Sequence, residues 1–172
     1  MGAISGIPPG LDRLREVLEY RPDTGVFIWK IKPSRHARAR VGGVAGFVGP
    51  SGYWTIGLDG KTYFAHHLAR FYVTGEWPKG QTDHRNLNKT DTILSNLRPA
   101  SASQNAANRR VRISSFSGIK GVGWCKQTRK WRAMAYKDGK CYNLGRFDCP
   151  AAAQFAYAIA ADKLHGEFAR VS

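Results

Sequence analysis

Hydrolysis of a phosphodiester requires a water made nucleophilic, a cation on the developing charge and the leaving oxygen, and donors for the phosphate. One stretch of the chain, TDHRNLNKTDTILSNLRPASASQN, contains residue types suited to all three. Asp83 is a hard oxygen ligand of the kind Mg²⁺ takes, and His84, next to it in an extended strand, points to the opposite face, where it can take a proton from water near neutral pH. Asn96 follows Asp83 by 13 residues and Asn105 follows Asn96 by 9. A strand, loop, strand and helix folding back on themselves would let Asp83 and Asn105 share one cation. Taken alone this spacing is a weak signal, because an Asp-His pair is more often a surface hydrogen bond than a site.

The elements that must position these residues are legible in part. LDRLREVLEY (11–20) carries Leu11, Leu14, Val17 and Leu18 at helical spacing and predicts a short amphipathic helix ended by RPDTG. VFIWK (26–30) reads as a strand, and KIKPSRHARAR after it as a solvated or phosphate-contacting loop. Asp59-Gly60 lies between two aromatic and β-branched runs, predicting a hairpin over 53–66 with a type I′ turn. A helix from Leu68 to about Thr74 should follow, capped by Gly75 and kept from resuming by Pro78. Ser101 and Gln104 form a capping-box pattern that starts a helix with Asn105 and Asn108 on one face. SSFSG (114–118) is the candidate joint. Beyond it the pattern is strand, strand, Asp138-Gly139 turn, strand, then an alanine-rich helix from Pro150 to about His165, with Gly166 as its C-terminal cap and Cys149 at its N-cap, where Ser or Thr is usual.

Charge points to a polyanionic partner. The 172 residues carry a formal +15. Between Arg109 and Phe147 stand eleven basic residues and one acid, Asp138, interleaved with Phe116, Trp124, Trp131, Tyr136 and Tyr142. Aromatics at strand-like spacing favour a folded nucleic-acid surface over a membrane-binding helix. No apolar run is long enough for a membrane span, and the N-terminus lacks a secretory layout, so an intracellular protein is expected. Cys125, Cys141 and Cys149 have neither CxxC nor zinc-finger spacing, which predicts free thiols and no structural zinc.

YFAHHLARFYVTGEWP followed by DHRNLNKTDTILSNLRPASASQN resembles the HNH endonucleases of phages and mobile introns, in the homing subgroup whose last histidine is replaced by asparagine. The similarity covers roughly residues 18–108, with a motif core at 63–108. It implies a ββα-metal fold in which Asp83 and Asn105 bind Mg²⁺, or Mn²⁺ in its place, His84 is the general base and Asn96 orients the loop and that base. His66 matches a histidine preceding the motif and is a further catalytic candidate; a strand-end residue bonding to backbone is the alternative. Leu87 stands where the family has a turn glycine and is poor at positive φ, a strain that Asn86 or Asn88 could take instead. His67 stands where the family usually has an arginine.

GIKGVGWCKQTRKWRAMAYKDGKCYNLGRFDCPAAAQFAYAIAADKLHGEFARVS resembles the Apetala-two (ethylene response factor) DNA-binding domain. In that family a three-stranded antiparallel sheet lies in the major groove and a helix supports its back. Alternation on the middle strand puts Trp131, Ala133 and Ala135 toward the helix and Arg132 and Tyr136 outward; on the third strand Tyr142, Leu144 and Phe147 face the helix and Asn143 faces out, with Arg146 near its end. Alternation with Val122 favours a core role for Trp124. Lys126, Lys130, Arg132, Tyr136, Asn143 and Arg146 are the DNA-binding candidates.

The expectation is an α+β protein with an HNH half at 1–113 that includes a small helix, strand and hairpin region before its core, a linker at 114–118, and a DNA-binding half at 119–172. The expected partner is double-stranded DNA, bound by a monomer that nicks or cuts it within a host cytoplasm or nucleoid. The rival reading is a non-catalytic DNA-binding regulator with a decayed nuclease half, and RNA is a third possible substrate.

Overall fold

The apolar spacing of LDRLREV forms helix α1 (Leu11–Val17), which buries Leu14 and Val17. It stops short of the predicted end. Leu18 takes extended φ/ψ, and Leu18–Arg21 becomes β1, paired antiparallel with β2 (Val26–Trp29) in the register Leu18↔Trp29 to Arg21↔Val26. Pairing satisfies the backbone and buries Leu18 and Tyr20, so residues 22–25 are a hairpin loop rather than a helix stop. The computed structural model describes residues 7–33, 39–111 and 115–171. The N-terminal residues 1–6, positions 34–38 of the basic loop, Arg112, and the first residue of the candidate joint lie outside the described residues.

Strands β3 (Phe47–Val48), β4 (Trp54–Leu58) and β5 (Lys61–Phe64) form an antiparallel sheet in sequence order. The expected hairpin turn is present, with Asp59 at φ 47° and Gly60 at φ 77°. Helix α2 (Ala65–Thr74) begins directly after β5, earlier than predicted, and ends at Gly75, φ 72°, whose N–H donates to the Phe71 carbonyl. Leu14, Leu18, Phe27, Ile56, Leu58 and Leu68 are fully buried at the centre of this half. Strands β6 (Gln81–His84) and β7 (Leu97–Ala100) form a two-stranded sheet joined by the loop 85–96, which closes in a single 3-10 turn, Leu94–Asn96.

Helix α3 (Ala102–Asn108) starts with the full reciprocal capping box between Ser101 and Gln104. Strands β8 (Val122–Cys125), β9 (Lys130–Lys137) and β10 (Lys140–Phe147) pair antiparallel with β9 in the middle. The core beside them is Val122, Ala133 and Ala135 with Ala153, Tyr157 and Ala161 from α4 (Pro150–His165). Alanines on both elements permit close approach. Cys149 Sγ accepts from the Ala152 N–H at the start of α4, and Gly166 ends it.

The chain divides into two units, residues 1–99 and 100–172. This division falls ahead of α3 and not at 114–118. The reason is local: Ser103 Oγ accepts from the Asp138 N–H at 3.0 Å, and Lys120 Nζ donates to the carbonyls of Ala107 and Arg109, so α3 is held by residues of the C-terminal half. Among the described residues, no helix is long and apolar enough to cross a membrane.

Candidate active site and nucleic-acid face

Thr82, Asp83 and His84 at the end of β6 are all buried, which is unusual for polar residues and requires partners on both faces of the strand. On one face Arg98 of β7 meets the carboxylate: its Nε and Nη2 both reach Asp83 Oδ2 at 2.8 Å, and both side chains are nearly inaccessible. Arg98 was not among the expected site residues. The available signal was its type and place, a basic residue on the strand that pairs with β6. On the other face His84 meets an aromatic cluster, its ring 4.9 Å from that of His66 and 5.8 Å from that of Tyr53. His66 is the second residue of α2, not a strand-end residue, and its ring stacks on Phe64 at 5.2 Å and meets His67 edge-on at 4.5 Å.

Burial sets the protonation of this cluster. It pushes His66 down to about 2, with His67 and His84 contributing, and His67 down to about 4, with Arg70 and His84 contributing. Burial also lowers His84, against an opposing pull from Asp83 and Asp91. All three rings are therefore neutral at pH 7. The unfolded chain takes up these protons near pH 6.5 and the folded chain does not, so the associated stability is complete above that pH and is lost as pH falls toward the folded values. Between neutrality and pH 5, His66 and His67 are each expected to remove about 2 kcal/mol of unfolding free energy. Denaturant titrations at the two pH values check this, with His67→Gln reducing the acid loss by about half; an unchanged midpoint would place the protons elsewhere.

The loop 85–96 is clamped by Asn96. Its Oδ1 accepts from the Asn86 N–H at 3.0 Å, its Nδ2 donates to Asn86 Oδ1 and to the Asp91 carbonyl, and its own carbonyl accepts from the Arg85 N–H. Asp91 adds to the clamp, accepting from Asn86 Nδ2 at 2.6 Å and from the Ile93 N–H. These bonds fix the chain immediately after His84. Leu87 itself takes the left-handed conformation, φ 62°, so neither Asn86 nor Asn88 relieves it. A leucine there costs roughly 1–2 kcal/mol relative to glycine, partly offset by glycine's greater unfolded-state freedom. Leu87→Gly is expected to raise the unfolding free energy by about 0.5–1 kcal/mol, read from the urea midpoint.

Asn105 lies in the second unit, on α3, while Asp83, His84, His66 and Asn96 lie in the first. Among the described residues no three His, Cys, Asp or Glu side chains form a group that could hold a metal ion, and the three cysteines are free thiols. Within the first unit, the Asp83 carboxylate is a hard oxygen donor of the kind that divalent cations such as Mg²⁺ take.

On the C-terminal sheet the pairing register gathers the basic residues. Arg132 of β9 stands opposite Arg146 on one side and Gly123 on the other, and Lys130, Arg132, Met134 and Tyr136 alternate onto the face away from the buried Ala133 and Ala135. Lys126 and Arg132 are exposed, as is Tyr136, and Lys130 pairs with Asp148 at 3.0 Å. Asn143 faces out but also accepts from the Gly145 N–H, shaping the bulge between Asn143 and Gly145. Two aromatic expectations are corrected. Trp124 is 40% exposed, because it packs on the edge of Trp131 at 5.2 Å and not into the alanine core. Tyr142 is 38% exposed and lies outside the core cluster; it stands opposite Ala135, whereas Leu144 and Phe147 do pack against that core.

Residues 63–107, from β5 into α3, match the HNH endonuclease family. The chain is 35% identical over 99 residues to Protein 3.8 of Escherichia phage T7, an alignment covering 57% of this chain and 81% of that protein. It is 30% identical over 125 residues to a protein of Acanthamoeba polyphaga mimivirus described as an uncharacterized HNH endonuclease, covering 72% of this chain and 64% of the viral protein. No solved structure matches it significantly. The chain carries an HNH endonuclease domain over residues 63–107, which contains the buried Asp83 and His84, and it has phage and viral relatives.

Proposed function

We propose that this protein is a metal-dependent, homing-type DNA endonuclease in which the β6–β7–α3 segment is a ββα-metal site and residues 119–172 are an Apetala-two-like module that binds the target duplex. The observation that carries the reading is the pair of consecutive buried residues at the end of β6, a carboxylate ion-paired with Arg98 and an imidazole kept neutral by burial. Asp83 and Asn105 would hold Mg²⁺, or Mn²⁺, which when bound stabilises charge on the phosphate and the leaving oxygen. His84 takes the proton of the attacking water at the unprotonated nitrogen of its imidazole, which requires the neutral ring that burial provides. Asn96 holds the following loop so that the ring keeps its direction, and His66 backs it from α2. The direct experiment is incubation of the purified chain with supercoiled plasmid and Mg²⁺, with and without chelator: nicked or linear product only with metal supports the enzyme, and binding without cutting supports the regulator.

The C-terminal reading rests on charge placed against its own stability. Arg132 and Arg146 directly opposite one another repel, an arrangement that costs folding free energy and gains only when a polyanion lies across the face. Each phosphate contact contributes about 0.9 to the slope of log affinity against log salt. Replacing Lys126, Lys130, Arg132 and Arg146 together by Ala is therefore expected to lower the slope by roughly three to four units. A salt titration on one duplex reads this; an unchanged slope moves DNA to another surface.

A further inference from the structure

Besides a bound metal, a protein cation beside His84 would stabilise charge on the phosphate, and two nearby basic side chains are poorly placed for that. Arg98 is bound to Asp83, and His67 is a half-buried neutral ring. We propose that Lys89, in the loop clamped by Asn96, is the cation that meets the scissile phosphate beside His84; this rests on the nuclease reading.

Three observations place it there. The Lys89 ammonium lies 4.6 Å from the centre of the Tyr53 ring, and that ring is 5.8 Å from His84 and 5.3 Å from His66. Its Nζ donates to the Ser51 carbonyl at 3.1 Å and its backbone carbonyl accepts from the Trp54 N–H at 3.3 Å, so the residue is tied at both ends to the segment entering β4. Among the described residues Lys89 has no carboxylate partner, unlike Arg13, Arg21, Lys130 and Arg98. A lysine held over an aromatic face, with one carbonyl and no acid, retains donors and net charge for an incoming anion. A compact ammonium makes one point contact and needs no fork geometry, so arginine can replace it.

The test uses the full chain with Lys89→Gln and Lys89→Arg, on one duplex carrying the cleavage site. Lys89→Gln is expected to lower the single-turnover cleavage rate at saturating DNA on the order of a hundredfold, the usual effect of removing one transition-state donor. The same variant should bind DNA with a salt slope shallower by about 0.9, and Lys89→Arg should restore most of both. A wild-type rate and slope in Lys89→Gln overturn the proposal, as does an equal loss in Lys89→Arg, which would assign the defect to the tether at Ser51. If the unmodified chain does not cut at all, the nuclease reading fails on its own, while the slope difference still decides the phosphate contact.

Discussion

His84→Ala is expected to reduce DNA cleavage by roughly 10²–10⁴-fold, the range that a positioned general base contributes, while DNA affinity stays close to that of the unmodified chain. The imidazole is neutral at pH 7 and adds no charge to phosphate binding, so its removal should appear in the rate at saturating DNA and not in the dissociation constant. The aromatic surroundings survive the change, since Tyr53, Phe64 and His66 still pack on one another. Single-turnover cleavage with Mg²⁺ and a filter-binding titration separate the two quantities. Cleavage at the unmodified rate would remove His84 from the chemistry and leave His66, 4.9 Å away, as the next imidazole to test.

The second large effect concerns stability. Arg98 and Asp83 are about as inaccessible as a charged pair can be, with side-chain exposures of 6% and 3%. Replacing the arginine alone leaves a buried carboxylate without that partner, and breaking such a pair typically costs 3–5 kcal/mol, about a third or more of the stability of an ordinary domain. Arg98→Leu is therefore expected to lose about that much in denaturant unfolding. Asp83→Asn combined with Arg98→Leu should recover much of it, because neither charge then remains buried. A single variant within about 0.5 kcal/mol of the unmodified chain would show that the pair contributes no net stabilisation.

Local features of the sequence determined a good part of this protein. Asp59-Gly60 could only be a tight turn, because two consecutive residues there have positive φ. Ser101 and Gln104 reach only each other's backbone, so α3 starts where its capping box stands. Alternation in β9 set Ala133 and Ala135 inward and Arg132 and Tyr136 outward. Asp83, His84 and Asn96 stood out as a set through the resemblance of their stretch to a known family, since their spacing alone is a weak signal; the loop between β6 and β7 does bring the Asn96 carbonyl back to the Arg85 N–H, next to His84. The failures all lie where long-range partners decide. LDRLREVLEY has the period of a single helix, yet its last residues gain more from pairing with Val26–Trp29. The helical start at Ala65 places His66 beside His84 from a distant element, and no spacing rule reports that approach. Arg98 reads as one basic residue among 27 until β7 is laid against β6. Position 87 reads as a doubtful leucine until the bonds from Asn96 and Asp91 are seen to hold the loop on either side of it. Chain neighbours set turns, caps and alternation; the partner of a buried charge, the protonation of a histidine and the strain a loop will bear depend on groups that only the folded chain brings within a few ångströms.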